Sequence, residues 1–131
     1  MTTHYPRILS IAGSDSGGGA GIQADLKTCS ALGCYGMTAI TAITAQNTLG
    51  VVGIHAIPPE MLRQQIDAVV GDIGVDAVKI GMLHDPEVVH IVAQAIRQYR
   101  FKHIVLDPVM VATSGDALIA NETIAVLVDE L

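Results

Sequence analysis

Residues 7–26 read Arg7-Ile8-Leu9-Ser10-Ile11-Ala12-Gly13-Ser14-Asp15-Ser16-Gly17-Gly18-Gly19-Ala20-Gly21-Ile22-Gln23-Ala24-Asp25-Leu26, and the stretch changes character twice. Arg7 to Ala12 is a short apolar run, which predicts a buried strand. It stops at a loop dominated by Gly and Ser. Beyond the loop Ile22, Leu26, Cys29 and Leu32 recur at helical spacing, and Gly33 stands where a helix C-cap is wanted. Strand, glycine loop and helix in that order open an α/β chain. Such a loop lets ligand or backbone approach closely, and its N–H groups can face an anion at the helix start.

Two nucleotide-binding patterns compete for the loop, and neither fits. A P-loop ends in Gly-Lys-Ser/Thr, whereas Gly18 is followed by Gly19-Ala20. Gly19-Ala20-Gly21-Ile22-Gln23-Ala24 satisfies a relaxed dinucleotide fingerprint, but that reading needs an acid about twenty residues on to hold the ribose. No Asp or Glu occurs between Asp25 and Glu60. The Ser residues of the loop do not meet the Gly-x-Ser-x-Gly spacing of a nucleophile elbow either.

Outward from the loop, strand and helix patterns alternate. Met37 to Ala45 and Val51 to Ile57 are β-rich runs, the second closed by Pro58-Pro59. Pro59 suits the first turn of a helix whose buried stripe is Leu62, Ile66, Val69/Val70 and Ile73. Asp76 to Ile80 predicts a strand ending at Gly81-Met82. Asp85-Pro86-Glu87 is a clear helix start, with Val88, Ile91/Val92, Ala95/Ile96 and Tyr99 on its inner face. His103 to Leu106 predicts another buried strand, stopped by Asp107-Pro108, and Asn121-Glu122-Thr123 opens a last helix through Leu131. The alternation predicts an α/β domain with a mostly parallel, three-layer sheet. The last helix has an apolar face and no following strand, although a domain can also end on a helix.

Composition agrees with that class. The chain has 131 residues, 50% apolar, with no Trp and only four aromatic residues, so its core is built from Ala, Val, Ile and Leu. A formal charge of −6 with seven scattered Lys and Arg argues against nucleic acid. The most apolar stretch, Leu32 to Pro59, is interrupted by Gly, Thr, Gln, Asn and His, which argues against a membrane span. Cys29 and Cys34 lie five apart in a predicted helix on different faces, which predicts two reduced thiols and a cytoplasmic home.

In an open parallel sheet, ligands sit at the carboxyl ends of the strands. Those ends carry Gly13-Ser14-Asp15, Gln46-Asn47-Thr48, Gly81-Met82 and Asp107-Pro108-Val109. Any one of them could be an ordinary turn. Together they place an amide, two carboxylates and a cluster of glycines on one edge. Gln46 offers donors and an acceptor that match a ring nitrogen and an exocyclic amine of a heterocycle. Met82 and Val109 would be apolar walls for that ring. Asp107 could hold Mg²⁺ or orient phosphate through water, or simply close its own turn. Asp25, one helical turn past the glycines, either faces substrate or favours the helix N-terminus. The five histidines show no metal spacing.

The run from Ala12 to Thr28 resembles the signature loop and helix of the bacterial hydroxymethylpyrimidine/phosphomethylpyrimidine kinases. Thr44-Ala45-Gln46-Asn47-Thr48, Lys79-Ile80-Gly81-Met82-Leu83 and Leu106-Asp107-Pro108-Val109-Met110 follow in that family's order. The resemblance implies a ribokinase-like fold and a cytoplasmic, homodimeric enzyme of thiamine biosynthesis using ATP and Mg²⁺. It implies that Gln46 binds the pyrimidine edge, that Gly13, Ala20, Met82 and Val109 line the pocket, and that Asp25 lies near the substrate. Asp107 would serve the metal and phosphate end. Pyridoxal kinases share the fold and the Asp-Pro-Val element and are the near alternative; a non-catalytic pyrimidine-binding fragment is another. The family's Gly-Thr-Gly-Cys anion hole has no counterpart in Thr113-Ser114-Gly115-Asp116 or elsewhere. Residues 1–131 are therefore expected to be the amino-terminal part of a single kinase domain, without catalytic residues of its own and inactive alone.

Overall fold

The computed structural model describes residues 4–107. In chain order these form β1 (Arg7–Asp15), α1 (Gly21–Ala31), β2 (Tyr35–Asn47), β3 (Gly50–Ala56), α2 (Pro59–Asp72), β4 (Ala77–Ile80), α3 (Pro86–Tyr99) and β5 (Ile104–Leu106). The helix expected from Asn121 lies outside the described residues, as does Val109. The strands make one sheet in the order β3-β2-β1-β4-β5. β2, β4 and β5 run parallel to β1, and only β3 is antiparallel, folded back on β2 through Thr48-Leu49. Asn47 starts that turn by accepting the Leu49 amide on its side chain at 2.8 Å.

The period of two along β1 sorts the layers. Leu9 and Ile11 pair with Met37 and Ala39 of β2 and with Val78 and Ile80 of β4, so all six share one face. Leu62 and Ile66 of α2 and Val88, Val89, Val92 and Ala95 of α3 join them in the main core. Burying a side chain such as Leu62, fully enclosed here, contributes about 1.5–3 kcal/mol. The alternate face, with Ser10 and Gly36, lies under α1, where Leu26 and Cys29 crowd Gly36. Three layers result, as the alternating pattern predicts.

Local chemistry sets the helix ends. At the close of α1, Gly33 takes φ 75°, its amide bonds the Ser30 carbonyl at 3.3 Å, and the Cys34 amide bonds the Cys29 carbonyl at 2.8 Å. This doubled closure needs a left-handed residue, which is why glycine stands there. Cys34 therefore lies beyond the helix rather than within it; both thiols are free and half-buried, and burial raises the Cys29 thiol pKa. Asp85 caps α3 by accepting the Val88 amide at 3.0 Å. Gln65 of α2 exchanges two hydrogen bonds with the Ile40 backbone, closing part of the β2 edge that β3 does not reach.

Two expectations are corrected. Ile73 is not part of a buried stripe: it ends α2 and is 38% exposed. The β5 strand is not buried either, with Val105 65% exposed, because it is paired only to β4 among the described strands. Among the described residues, no helix is long and apolar enough to cross a membrane.

At the starting edge of the sheet, Arg7 ties three elements together. Its Nε and Nη2 donate to the two carboxylate oxygens of Asp76 at 3.0 and 2.9 Å, and Nη1 donates to the Ile73 carbonyl at 2.6 Å. The hydrogen bonds from Arg7 hold the Asp76 carboxyl well below the usual carboxylate range. A depressed carboxyl pKa adds stability that is complete above its ordinary value of 3.8 and fades as pH falls below it. Thermal melting of the chain and its Asp76→Asn variant should thus differ near neutral pH, and the gap should begin to narrow below about pH 3.8 and go on narrowing as the solution is made more acidic; a gap independent of pH would refute the linkage.

Candidate functional site

Because β1, β2, β4 and β5 are parallel, their carboxyl ends lie on one edge of the sheet. The chain leaves β1 to one side to form β2, then returns to the other side for β4, so the direction of winding switches between β1 and β4. A crevice opens at such a switch. Gly13 and Met82 meet there: a Cβ on Gly13 would collide with the Met82 methyl. Met82 is 7% exposed, and its carbonyl accepts the hydroxyl of the fully buried Thr41 at 2.8 Å. Asp107 follows β5 on the same edge, with its amide bonded to the Ile80 carbonyl at 2.8 Å and its side chain exposed.

The glycine loop is organised by one of the two strand-end carboxylates. Asp15 is 6% exposed, and its carboxylate accepts the amides of Gly17 at 2.7 Å, Gly19 at 3.0 Å and Ala20 at 2.9 Å. The Gly18 amide bonds the Asp15 carbonyl at 3.0 Å. The anion that these amides face is therefore a side chain of the chain itself. An Asp directly ahead of a glycine run is the signal that could have found this, since a short carboxylate readily accepts from amides two to five residues on. Gln23 secures the loop from the helix side, with Oε1 accepting the Asp15 amide at 2.8 Å and Nε2 donating to the Ser14 hydroxyl at 2.7 Å. Gly21 takes φ 58° to turn into α1, and a Cβ there would run into the Gly13 carbonyl.

The loop is stitched to the end of β2. The Ser16 hydroxyl donates to the Gln46 carbonyl at 2.6 Å and accepts the Gln46 amide at 2.7 Å. Thr44 Oγ1 lies 2.7 Å from the Ser14 carbonyl and 3.0 Å from Gln46 Oε1. The single Thr44 proton is shared between these two oxygens, and the half-buried Gln46 side chain keeps its amide protons and a second lone pair for a ligand.

The structure thus joins Gly13 to Met82, and Gln46 and Ala20 to the two sides of the Asp15 loop. Asp25 lies between α1 and the sheet. Its carboxylate accepts the Ser10 hydroxyl at 2.6 Å and pairs with Lys79 at 2.9 Å, level with the middle of β1. His84, on the loop after Met82, has Nε2 3.1 Å from Asp85 Oδ2; burial lowers its pKa against the opposing pull of that carboxylate. Among the described residues no group of three or more His, Cys, Asp or Glu is placed to hold a metal ion. A cavity lined by Val70, Asp76, Tyr99, Phe101 and His103 opens on the opposite edge, away from the strand-end motifs.

The fold and this crevice define a ribokinase-like α/β protein. The pattern of the family described as phosphomethylpyrimidine kinase matches residues 15–131, and the chain belongs to that family. It is 55% identical over 121 residues to the hydroxymethylpyrimidine/phosphomethylpyrimidine kinase of Bacillus subtilis, a match covering 92% of this chain and 45% of that protein. A crystal structure of phosphomethylpyrimidine kinase from Clostridium difficile superposes with a TM-score of 0.89 at 49% identity, covering 95% of this chain and 54% of that one. The pyridoxal kinase of Staphylococcus aureus in complex with pyridoxal gives 0.85 at 33% identity, covering 98% and 46%. The chain spans about half the length of these proteins.

Glycine contacts allow a paired test. Gly21→Ala forces a left-handed φ on a side chain that also meets backbone, and should cost about 1–3 kcal/mol or more of unfolding free energy. Gly71→Ala, in α2 with no atom near its added Cβ, should instead gain about 0.5–1 kcal/mol. Denaturant titration of both variants checks the contrast, and equal effects would contradict it.

Proposed function

We propose that the chain carries the pyrimidine side of an ATP-dependent kinase that phosphorylates hydroxymethylpyrimidine and its monophosphate in thiamine diphosphate biosynthesis. The observation that carries the reading is Gln46, whose main chain is bonded by Ser16 to the glycine loop on the same sheet edge where Gly13 meets Met82. In this proposal Gln46 reads the ring edge, and Gly13, Ala20, Met82 and Val109 line the pocket. Asp25, held by Ser10 and Lys79, would lie near the substrate.

An exposed carboxylate at a strand end suits Mg²⁺, which takes one or two carboxylates and completes its shell with substrate phosphates and water. Asp107 is such a residue and would hold the metal and phosphate end. Mg²⁺ with ATP supplies the phosphoryl group and neutralises its charge. Residues 1–131 form the amino-terminal part of a single ribokinase-like domain in this proposal. The full enzyme is cytoplasmic and, on the family resemblance, a homodimer. Pyridoxal kinase chemistry is the second reading, supported by the likeness to the Staphylococcus aureus enzyme, but at lower identity than the pyrimidine kinases.

Two measurements bear on this. Calorimetry with hydroxymethylpyrimidine should show binding to the chain that Gln46→Ala weakens about tenfold, the scale of one well-placed hydrogen bond left unmade. Unchanged affinity would remove Gln46 from the pocket, and preference for pyridoxal would favour the second reading. The 131 residues contain no Gly-Thr-Gly-Cys segment to stabilise the transferring group. A coupled assay of the chain with ATP and hydroxymethylpyrimidine should therefore show no turnover, and clear turnover would contradict this.

A further inference from the structure

We propose that Asp15 is a built-in counter-anion, a positioning residue whose carboxylate fills the amide nest ahead of α1 and thereby sets Gln46 for the ring. The proposal rests on the pyrimidine-binding reading of Gln46 for its second half only.

Successive backbone amides that converge at a helix start normally form an anion site. Here every amide from Gly17 to Ala20 ends on Asp15: Gly17 on Oδ1, Gly18 on the backbone carbonyl, Gly19 and Ala20 on Oδ2. The α1 helix has no acid in its first turn and no side-chain cap from Ala20, so the Asp15 carboxylate is the negative charge its positive end receives. On the far side of the loop, Lys27 Nζ donates to the Gly18 carbonyl at 2.8 Å. A fixed carboxylate in the nest has two consequences. It repels phosphate, so neither a phosphomonoester nor a nucleotide phosphate seats at this helix start. It also folds the loop without a ligand.

The folded loop reaches Gln46 through the next residue. Ser16 makes both of its hydrogen bonds to the Gln46 backbone, and a Cβ on Gly17 would lie only 3.2 Å from the Gln46 carbonyl. Asp15 holds the loop, the loop holds the Gln46 main chain, and Thr44 orients its side chain.

Chemical rescue tests the idea. In Asp15→Gly the nest is vacated, so formate should raise the melting temperature of the variant saturably and leave the wild-type chain unmoved. If Asp15→Gly is unfolded in plain buffer, formate-dependent refolding is the same readout. A variant indifferent to formate overturns the counter-anion role, and this arm uses no pyrimidine. The second arm measures hydroxymethylpyrimidine binding by calorimetry. Asp15→Asn, which turns an amide donor toward amide donors, should lose about tenfold in affinity, the scale of a charged hydrogen bond. Ser16→Ala should weaken binding while keeping the formate-independent melting of the wild type. Wild-type affinity in folded Asp15→Asn or in Ser16→Ala overturns the link to Gln46. Failure of the wild-type chain to bind the ring sinks the functional reading instead, and leaves the formate result to stand by itself.

Discussion

Strand β1 is hydrogen-bonded on both edges and covered on both faces, and this double burial disciplines the rest of the chain. A strand so placed can carry almost no unpaired polar group, which is why its middle, from Ile8 to Gly13, is apolar apart from Ser10. That serine is admitted because Asp25 accepts its proton, and the aspartate is in turn compensated by Lys79 from the neighbouring strand. Once β1 has neighbours on each side, its carboxyl end becomes the place where the winding reverses. The main chain must then leave the sheet through a crevice rather than through a closed turn.

What fills that exit is decided by polar satisfaction. The glycines of the loop permit a tight path, but a path of bare amides near a buried edge is costly unless each finds an acceptor. Asp15 supplies the acceptors from within the same strand end, and Ser16 and Thr44 then bond the loop to β2. The result is a rigid lip on which a reading amide, Gln46, can be held to one orientation. Rigidity of this kind lowers the ordering cost of taking up a small flat ligand.

Much of this was legible from residue order. The helix starts at Pro59 and Asp85, the left-handed closure at Gly33 and the strand ends that gather at the crevice all follow from short-range chemistry or from the two simple periods. The misjudged positions are those whose surroundings come from elsewhere in the chain. Ile73 reads as core by its spacing, yet it falls where α2 runs past the sheet. β5 reads as buried by its composition, but burial depends on what lies beside it rather than on its own residues. What Asp25 contacts is a separate matter that its spacing from the glycines leaves open. Only the register of β1 against β4, which sets Ser10 beside Lys79, shows that its charge is already engaged.

By itself, the sequence determined the α/β alternation, the glycine loop, the caps and the set of polar residues at strand ends, because each depends on neighbours within a few positions. Tertiary structure alone decided that Gln46 is anchored through Ser16 and that Gly13 meets Met82. Those contacts join residues distant in order, and their geometry exists only once parallel pairing has brought the strand ends to a common edge.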